Sequence, residues 1–545
     1  MQIPVLDLII VFAYMAGIVF VGLWVTRNTK MTGEAYFLGG RSLRWPMIGA
    51  ALFASNISTI HLVGLCGSGY ATGLVWGNYE WMAPFTLLIL AMVFAPFYFR
   101  NRVETLPEYL EKRFGSGARS FMAFMGILGA LFIHIGMSLY AGAKVFEQFF
   151  GIDVMTSILV ISAITAIYTV VGGLKAVVVT ETIQTVLLIA GSIVVTVLAV
   201  QALPGAGIHS WADLQANVKP DQLSVIWTDP STEADILSFL MGYWVLGVWY
   251  WSTDQTIVQR VLAARSEWDA QIGPIFAGFL KVLPMFILVF PGVLAYALYR
   301  DQIGADADQA LPFLIQHLVP TGLRGLITAG LLAALMSTIA AALNSCATLV
   351  AVDIVARMRP GTTDREQVQI GRWAAIVIML LAIAWSTQGE KFTGIFAAVQ
   401  QIGAALAPPI TAVFVMGVFS KRGGSKAALW TLMIGLVLGV WGFLVDTPLV
   451  GTPPTRPLLA DTRLLTDGLG IPFLRQAFFQ TMICMAIFLV IAKLTPPPPK
   501  EKIEGLTWDN PLQIFTRRYE GAGIDPRYAA AALVVTMLSL YTVFR

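Results

Sequence analysis

The sequence predicts an all-α polytopic membrane protein in which two helices are interrupted at mid-depth. Three observations predict it. The 545 residues are 57% hydrophobic and only 12% charged, roughly half the ~25% charged share of a soluble protein. Runs of about 20 apolar residues, the length that crosses a bilayer core, recur along the whole chain. Two of these runs carry polar and helix-breaking residues at their centres, near Ser55 and near Asp254.

Fourteen spans are expected, near 5–25, 46–73, 76–99, 120–143, 154–171, 177–200, 235–259, 271–299, 325–355, 370–387, 394–419, 427–445, 474–494 and 527–543. The first carries Asp7 and has no basic leader, so it reads as a retained helix rather than a cleaved signal. With the N-terminus outside, 25 of the 35 Lys and Arg residues fall on the inner side, 9 on the outer, and Lys281 inside a span. Basic residues concentrate in cytoplasmic loops, so both termini are placed outside. The net charge of +3 then reflects topology and gives no reason to expect nucleic acid. Cys66, Cys346 and Cys484 all lie within spans, which implies no disulfide framework. The only Asn-x-Ser/Thr sequon, Asn56 to Ser58, lies inside the bilayer, which favours a bacterial inner membrane.

The second span holds Ser55, Asn56, Ser58, Thr59 and His61, followed by Gly64, Gly67 and Gly69. Hydrocarbon offers no partner to a freed backbone group, so a helix break at that depth survives where it lines a cavity or binds something. Close packing on small residues would explain the glycines but not the asparagine and histidine. In the third span Glu80 sits between Tyr79 and Trp81; an ionisable residue there marks a functional site by default, unless the interface solvates it. Gly172 to Lys175 is expected to be a short inner turn between two spans, and Glu181 just beyond it needs a partner, for which Arg260 is the natural candidate. The seventh span repeats the interruption, with Gly247, Trp249, Tyr250 and Trp251 followed by Ser252 to Gln255. Five spans separate the two breaks, as in an inverted five-plus-five helix repeat whose broken helices face each other at the bilayer midplane. Lys281 either snorkels to the interface or serves a site. Ser337 and Thr338 place two hydroxyls side by side in a small-residue span, an oxygen environment suited to a small cation. Gln400 and Gln401 precede Pro408 and Pro409, where a helix disturbance is expected. Nothing has the spacing of a metal-hydrolase or phosphate-binding site, and an enzyme is not expected.

These segments together resemble the sodium/solute symporter family, in its sodium/glucose cotransporter branch. The resemblance runs from about residue 5 to 543 through SNISTIHLVGL (Ser55 to Leu65), YEW (Tyr79 to Trp81), GGLKAVVVTETIQ (Gly172 to Gln184), WYWSTDQTIVQR (Trp249 to Arg260), FLKVLPMFILVFPG (Phe279 to Gly292), LMSTIAAALNSCATL and APPITAVF (Ala407 to Phe414). It implies one extra helix (5–25), a first repeat (46–200), an inverted second repeat (235–419) and additional C-terminal helices (427–543), all in a single transmembrane domain. It further implies sugar contacts from Asn56, His61, Glu80, Lys281 and Gln400, with Tyr250 closing the inner side and Trp251 beside it facing the substrate, and with Leu65, Tyr79 and Phe396 forming an outer hydrophobic gate. The sodium ion is implied at the carbonyls of Ala54, Ile57 and Ala334 and the hydroxyls of Ser337 and Thr338. Gly247 departs from relatives that carry a polar side chain there, which loosens the expectation about the substrate. The expected activity is sodium-coupled import of a hexose such as glucose or galactose, one sodium per sugar, with no obligate protein partner. Another small polar solute, such as myo-inositol, sialic acid or an amino acid, is the alternative within transport; a sugar sensor is the alternative outside it.

Overall fold

In a continuous apolar run the backbone can satisfy its hydrogen bonds only internally, and the chain accordingly folds as packed helices. The computed structural model describes residues 4–229, 234–389, 395–451, 454–510, 513–516 and 523–544. In order these form α1 (Val5–Thr26), α2 (Trp45–Asn56), α3 (Thr59–Ala71), α4 (Leu74–Arg100), α5 (Ser116–Glu147) and α6 (Val154–Ala202). The second half continues with α7 (236–253), α8 (Gln255–Leu262), α9 (Glu267–Ile303), α10 (Leu323–Met358), α11 (Asp364–Ser386) and α12 (Ile395–Phe419). Three further helices, α13 (Ser425–Asp446), α14 (Phe473–Leu494) and α15 (Pro526–Val543), complete the bundle.

Eleven of these helices are long and apolar enough to cross a membrane, and α2 with α3, bent by 63° across a short break, makes a twelfth. The expected count of fourteen is not reproduced, for two reasons. The turn expected at Gly172 to Lys175 occupies a single residue: α6 runs 49 residues and changes direction at Gly173, which has φ 61° and ψ −160°. A straight helix of that length would reach about 74 Å at ~1.5 Å per residue, more than twice the ~30 Å of hydrocarbon. Glycine is required at the bend because a Cβ there would lie 2.5 Å from the Tyr36 carbonyl oxygen. The other difference is the seventh span, which is divided into short α and π turns before it breaks at Asp254.

Helix α10 occupies the centre, with 94% of its apolar window buried, whereas the windows of α1, α14 and α15 are 22%, 22% and 17% buried. Small residues set the close contacts of α9 with α2 and α3, as expected where lipid gives helices no hydrophobic reason to associate. Gly49 on α2 abuts Phe276 on α9, and Gly273 on α9 abuts Ile48 on α2; an added Cβ would lie 2.5 and 2.6 Å from those side chains. Gly69 on α3 leaves room for the Val289 carbonyl, and Gly292 leaves room for that of Cys66. Helix α12 runs through both Pro408 and Pro409. Proline at 409 frees the Ala405 carbonyl from its helical donor, and Gly439 of α13 packs against that oxygen, 2.0 Å from where a Cβ would be.

Candidate functional site

Both interruptions are capped by their own side chains. After Asn56 the backbone turns extended at Ile57 (φ −79°, ψ 101°) and Ser58 (φ −102°, ψ 176°), and α3 begins with His61 Nδ1 3.1 Å from Ser58 Oγ. Thr59 Oγ1 donates to the Leu331 carbonyl at 3.2 Å, which ties the break to α10. The second break has the same logic: Asp254 is extended (φ −84°, ψ 121°), and its carboxylate accepts from Thr256 N at 2.7 Å to cap α8. A π turn over Trp249–Thr253 precedes it, and Tyr98 donates to the Ser252 carbonyl that this turn presents.

Between the breaks lies a cavity of about 80 Å³. All seven residues expected to face solute line it: Asn56, His61, Glu80, Tyr250, Trp251, Lys281 and Gln400. Glu80 and Lys281 are both buried and form an ion pair at 2.5 Å, and Lys281 also donates to Asn56 Oδ1. The alternative readings of solvation for Glu80 and snorkelling for Lys281 therefore fall away. The Lys281 ammonium also lies 5.5 Å from the Trp251 ring centre. Gly247 lines the cavity too, packed on Thr86.

Aromatic rings close one end. Phe396 meets Tyr79 edge-on at 5.4 Å, His61 at 5.7 Å and Trp76 at 6.4 Å. Phe396 lines a second cavity together with Gly64, Lys144, Asp306 and Asp308, while its ring touches His61 and Tyr79 of the first. Gly64 allows the approach, since a Cβ there would lie 2.8 Å from Phe396 Cβ. Leu65, the third residue expected in this gate, is fully buried and lines neither cavity.

Ser337 and Thr338 bring α10 against the end of α2. Ser337 Oγ is 2.9 Å from the Ala54 carbonyl and 2.8 Å from that of Ala334. Thr338 Oγ1 is 3.1 Å from the Ser55 carbonyl and 3.2 Å from that of Ala334. Four of the five expected residues are thus gathered, and Ser55 joins them unforeseen. Ile57, the fifth, is buried at the break itself, where its backbone leaves the helical direction. The oxygens are neutral and hard, the donor set that suits an alkali cation rather than a transition metal. Beside them the expected Glu181–Arg260 pair is present, both groups fully buried, at 2.5 and 3.2 Å, with Ser55 Oγ 2.7 Å from the same carboxylate.

Sequence reading missed His134. It lies on a π-helical stretch of α5, lines the cavity, and holds Asp254 at 2.8 Å through Nε2. Ser138, one turn on, lines the cavity as well. A lone histidine in an apolar run (ALFIHIGM) gives no periodic signal, and only the fold brings it to the second break.

A model of the family described as SSF: Sodium:solute symporter family matches residues 36–435. The chain belongs to that family. Sodium is therefore its coupling ion, and a solute moves with it. The sodium/myo-inositol cotransporter 2 of Oryctolagus cuniculus is 35% identical over 547 residues, covering 94% of this chain and 79% of that protein. The sodium/glucose cotransporter 4 of Mus musculus is 34% identical over 541 residues, covering 92% and 77%. Among solved structures, a substrate-bound, outward-open Na⁺-coupled sialic acid symporter superposes with a TM-score of 0.73 at 20% identity, over 90% of this symporter and 98% of that chain. At that identity the likeness establishes the shared fold. The family and these neighbours are transporters, and the chain is a multi-pass membrane protein.

Proposed function

We propose that this symporter imports a neutral polyol, with a hexose such as glucose or galactose as the first candidate. The observation that carries the reading is the charge balance of the central cavity. Its two ionised side chains, Glu80 and Lys281, neutralise each other, and no arginine lines it among the described residues. A carboxylate solute such as sialic acid would have to compete with Glu80 for Lys281, and an amino acid would bring two charges to a site already neutral. Hydroxyls fit better: Glu80 accepts from them, Lys281 donates, and Asn56, His61 and Gln400 can do either. Trp251 and Tyr250 supply faces for the ring's C–H side, and Tyr250 closes the inner end while Tyr79 and Phe396 close the outer. A second reading, myo-inositol, is favoured by the rabbit relative named for it.

In this reading sodium binds the carbonyls of Ala54, Ile57 and Ala334 and the hydroxyls of Ser337 and Thr338, and holds α2 against α10. Solute entry then draws the aromatic gate shut, and loss of sodium on the inner side lets the second gate open. The basic-residue asymmetry supports both termini outside in a cell-surface membrane; assignment to a bacterial inner membrane rests on the buried sequon alone. One sodium per solute is the stoichiometry we propose. Glu181, the acid nearest the cation ligands, already serves Arg260 and Ser55, and the next residues on α10, Ile339, Ala340 and Ala341, offer no side-chain oxygen. With ~100 mV and a tenfold sodium gradient, one ion supplies roughly 2.3 plus 1.4 kcal/mol, enough for about 500-fold accumulation.

Uptake of radiolabelled glucose, galactose and myo-inositol into proteoliposomes, with and without a sodium gradient, tests the substrate. Sodium-dependent accumulation of a polyol is expected, and accumulation of an acidic solute in its place would overturn the reading. The solute gradient at static head tests the stoichiometry, and a limit near the square of the one-ion value would sink it.

A further inference from the structure

Beyond the cation ligands, α10 carries buried polar groups that the cycle above does not use. Ser337, Ala341, Asn344 and Thr348 stand at i, i+4, i+7 and i+11, so they form one strip along the helix. Both ends of the strip are anchored. At one end Ser337 donates to the Ala54 carbonyl of α2. At the other, Thr348 accepts from Gln259 Nε2 of α8 at 2.7 Å and donates to the Asn344 carbonyl at 2.8 Å. The strip therefore faces the seam between α10 and the two interrupted helices.

Within that seam Asn344 is 1% exposed, yet neither its Oδ1 nor its Nδ2 has a hydrogen-bond partner. Ser345 Oγ, on the adjoining side of the helix, and Gln259 Oε1, across from Thr348, are buried without partners as well. Buried polar atoms are nearly always paired in folded proteins. These four atoms, on and beside the seam, leave hydrogen-bonding capacity that a water or an ion would satisfy. Seven residues separate Asn344 from Ser337, or about 10 Å along the axis at ~1.5 Å per residue, in the direction of Met358.

We propose that Asn344 Oδ1, Ser345 Oγ and Gln259 Oε1 form a second, transient station for the sodium ion, reached after it leaves Ser337 and Thr338. The donor set matches the ion, being hard neutral oxygens like those of the first site. The set also lacks a carboxylate, which keeps the station shallow, and a conducting path needs sites weak enough to leave. Water accompanying the ion satisfies the Asn344 amide N–H. The proposal rests on the cation assignment made above and on the Met358 end of α10 facing the cytoplasm.

The test separates net transport from exchange in the full-length protein, using whichever of glucose, galactose or myo-inositol the uptake screen identifies. Exchange of labelled for unlabelled solute, with saturating sodium on both faces, needs no net sodium release. Asn344→Leu is expected to slow net sodium-driven uptake about tenfold, the effect of raising a release barrier by ~1.4 kcal/mol. Exchange and the sodium concentration for half-maximal uptake should stay at wild-type values. Parallel loss of net uptake and exchange, or no change in either, would show a seam holding structural water only and would overturn the proposal. Asn344→Asp gives an independent arm should the leucine variant not fold. A carboxylate deepens the station, so sodium on the release side should inhibit net uptake at about tenfold lower concentration, and inhibition at the wild-type concentration would overturn the proposal. Failure of the wild-type protein to accumulate any of the three solutes is a failure of the functional reading itself, and is visible before either variant is made.

Discussion

Lys281→Met places the central ion pair under direct test. Glu80 and Lys281 are 2% and 1% exposed and lie 2.5 Å apart, so removing the ammonium leaves a carboxylate buried with no compensating charge. Breaking a buried pair from one side costs about 3–5 kcal/mol, and Asn56 Oδ1 loses its donor too, at ~1–3 kcal/mol. The single variant should therefore be strongly destabilised in chemical unfolding of the detergent-solubilised protein. Adding Glu80→Gln removes the stranded charge, and the double variant should recover most of that loss, with a coupling energy at the upper end of the ~0.5–3 kcal/mol seen for contacting residues. Transport should not recover, because both groups that address solute hydroxyls are then gone. If the double variant were no more stable than Lys281→Met, the pairing would be refuted. If it regained wild-type solute affinity, the pair would be structural and the solute reading would fail.

Ser337→Ala and Thr338→Ala each remove one hydroxyl oxygen from the cation ligands; the sodium concentration for half-maximal uptake should rise about tenfold, or ~1.4 kcal/mol, in sodium-titrated uptake. His61→Ala and Gln400→Ala should each weaken solute binding by about 1–3 kcal/mol while sodium binding measured without solute persists, and wild-type solute affinity in both would move the site elsewhere. Gly173→Ala forces a Cβ to within 2.5 Å of the Tyr36 carbonyl at a positive φ, so yield of folded protein on size-exclusion chromatography should fall sharply, whereas Gly17→Ala, with open space around it, should be neutral.

Much of the site could be read from the chain because its chemistry is out of place there. Polar residues such as Asn56, Glu80 and Lys281 are conspicuous in apolar runs, and hydrocarbon permits few explanations for them. The glycines of α3 were read in two ways, and each reading describes different residues: Gly64 and Gly69 serve close packing, while Asn56 and His61 face the cavity. What sequence reading lost was geometry carried by single residues. The turn expected at Gly172 to Lys175 is present, but a single residue, Gly173, makes it, so no loop separates the two spans. His134 was missed because its partner, Asp254, is 120 residues away and one lone imidazole has no period.

The Ser55–Glu181–Arg260 contact bears on how the machine can move. Ser55 is the penultimate residue of α2, Arg260 lies within two turns of the second break, and Glu181 holds both from α6. Pulling them apart would strand charge in a region without water, at the same ~3–5 kcal/mol as any buried pair opened from one side. That would take up essentially all of the ~3.7 kcal/mol that one sodium ion supplies from ~100 mV and a tenfold gradient. The two half-helices are therefore expected to travel together with α6, with the opening between conformations made along the aromatic faces of Tyr79, Phe396 and Tyr250. Spin labels placed on α2 and α8 should report one unchanged distance with and without sodium, and labels across the aromatic faces two.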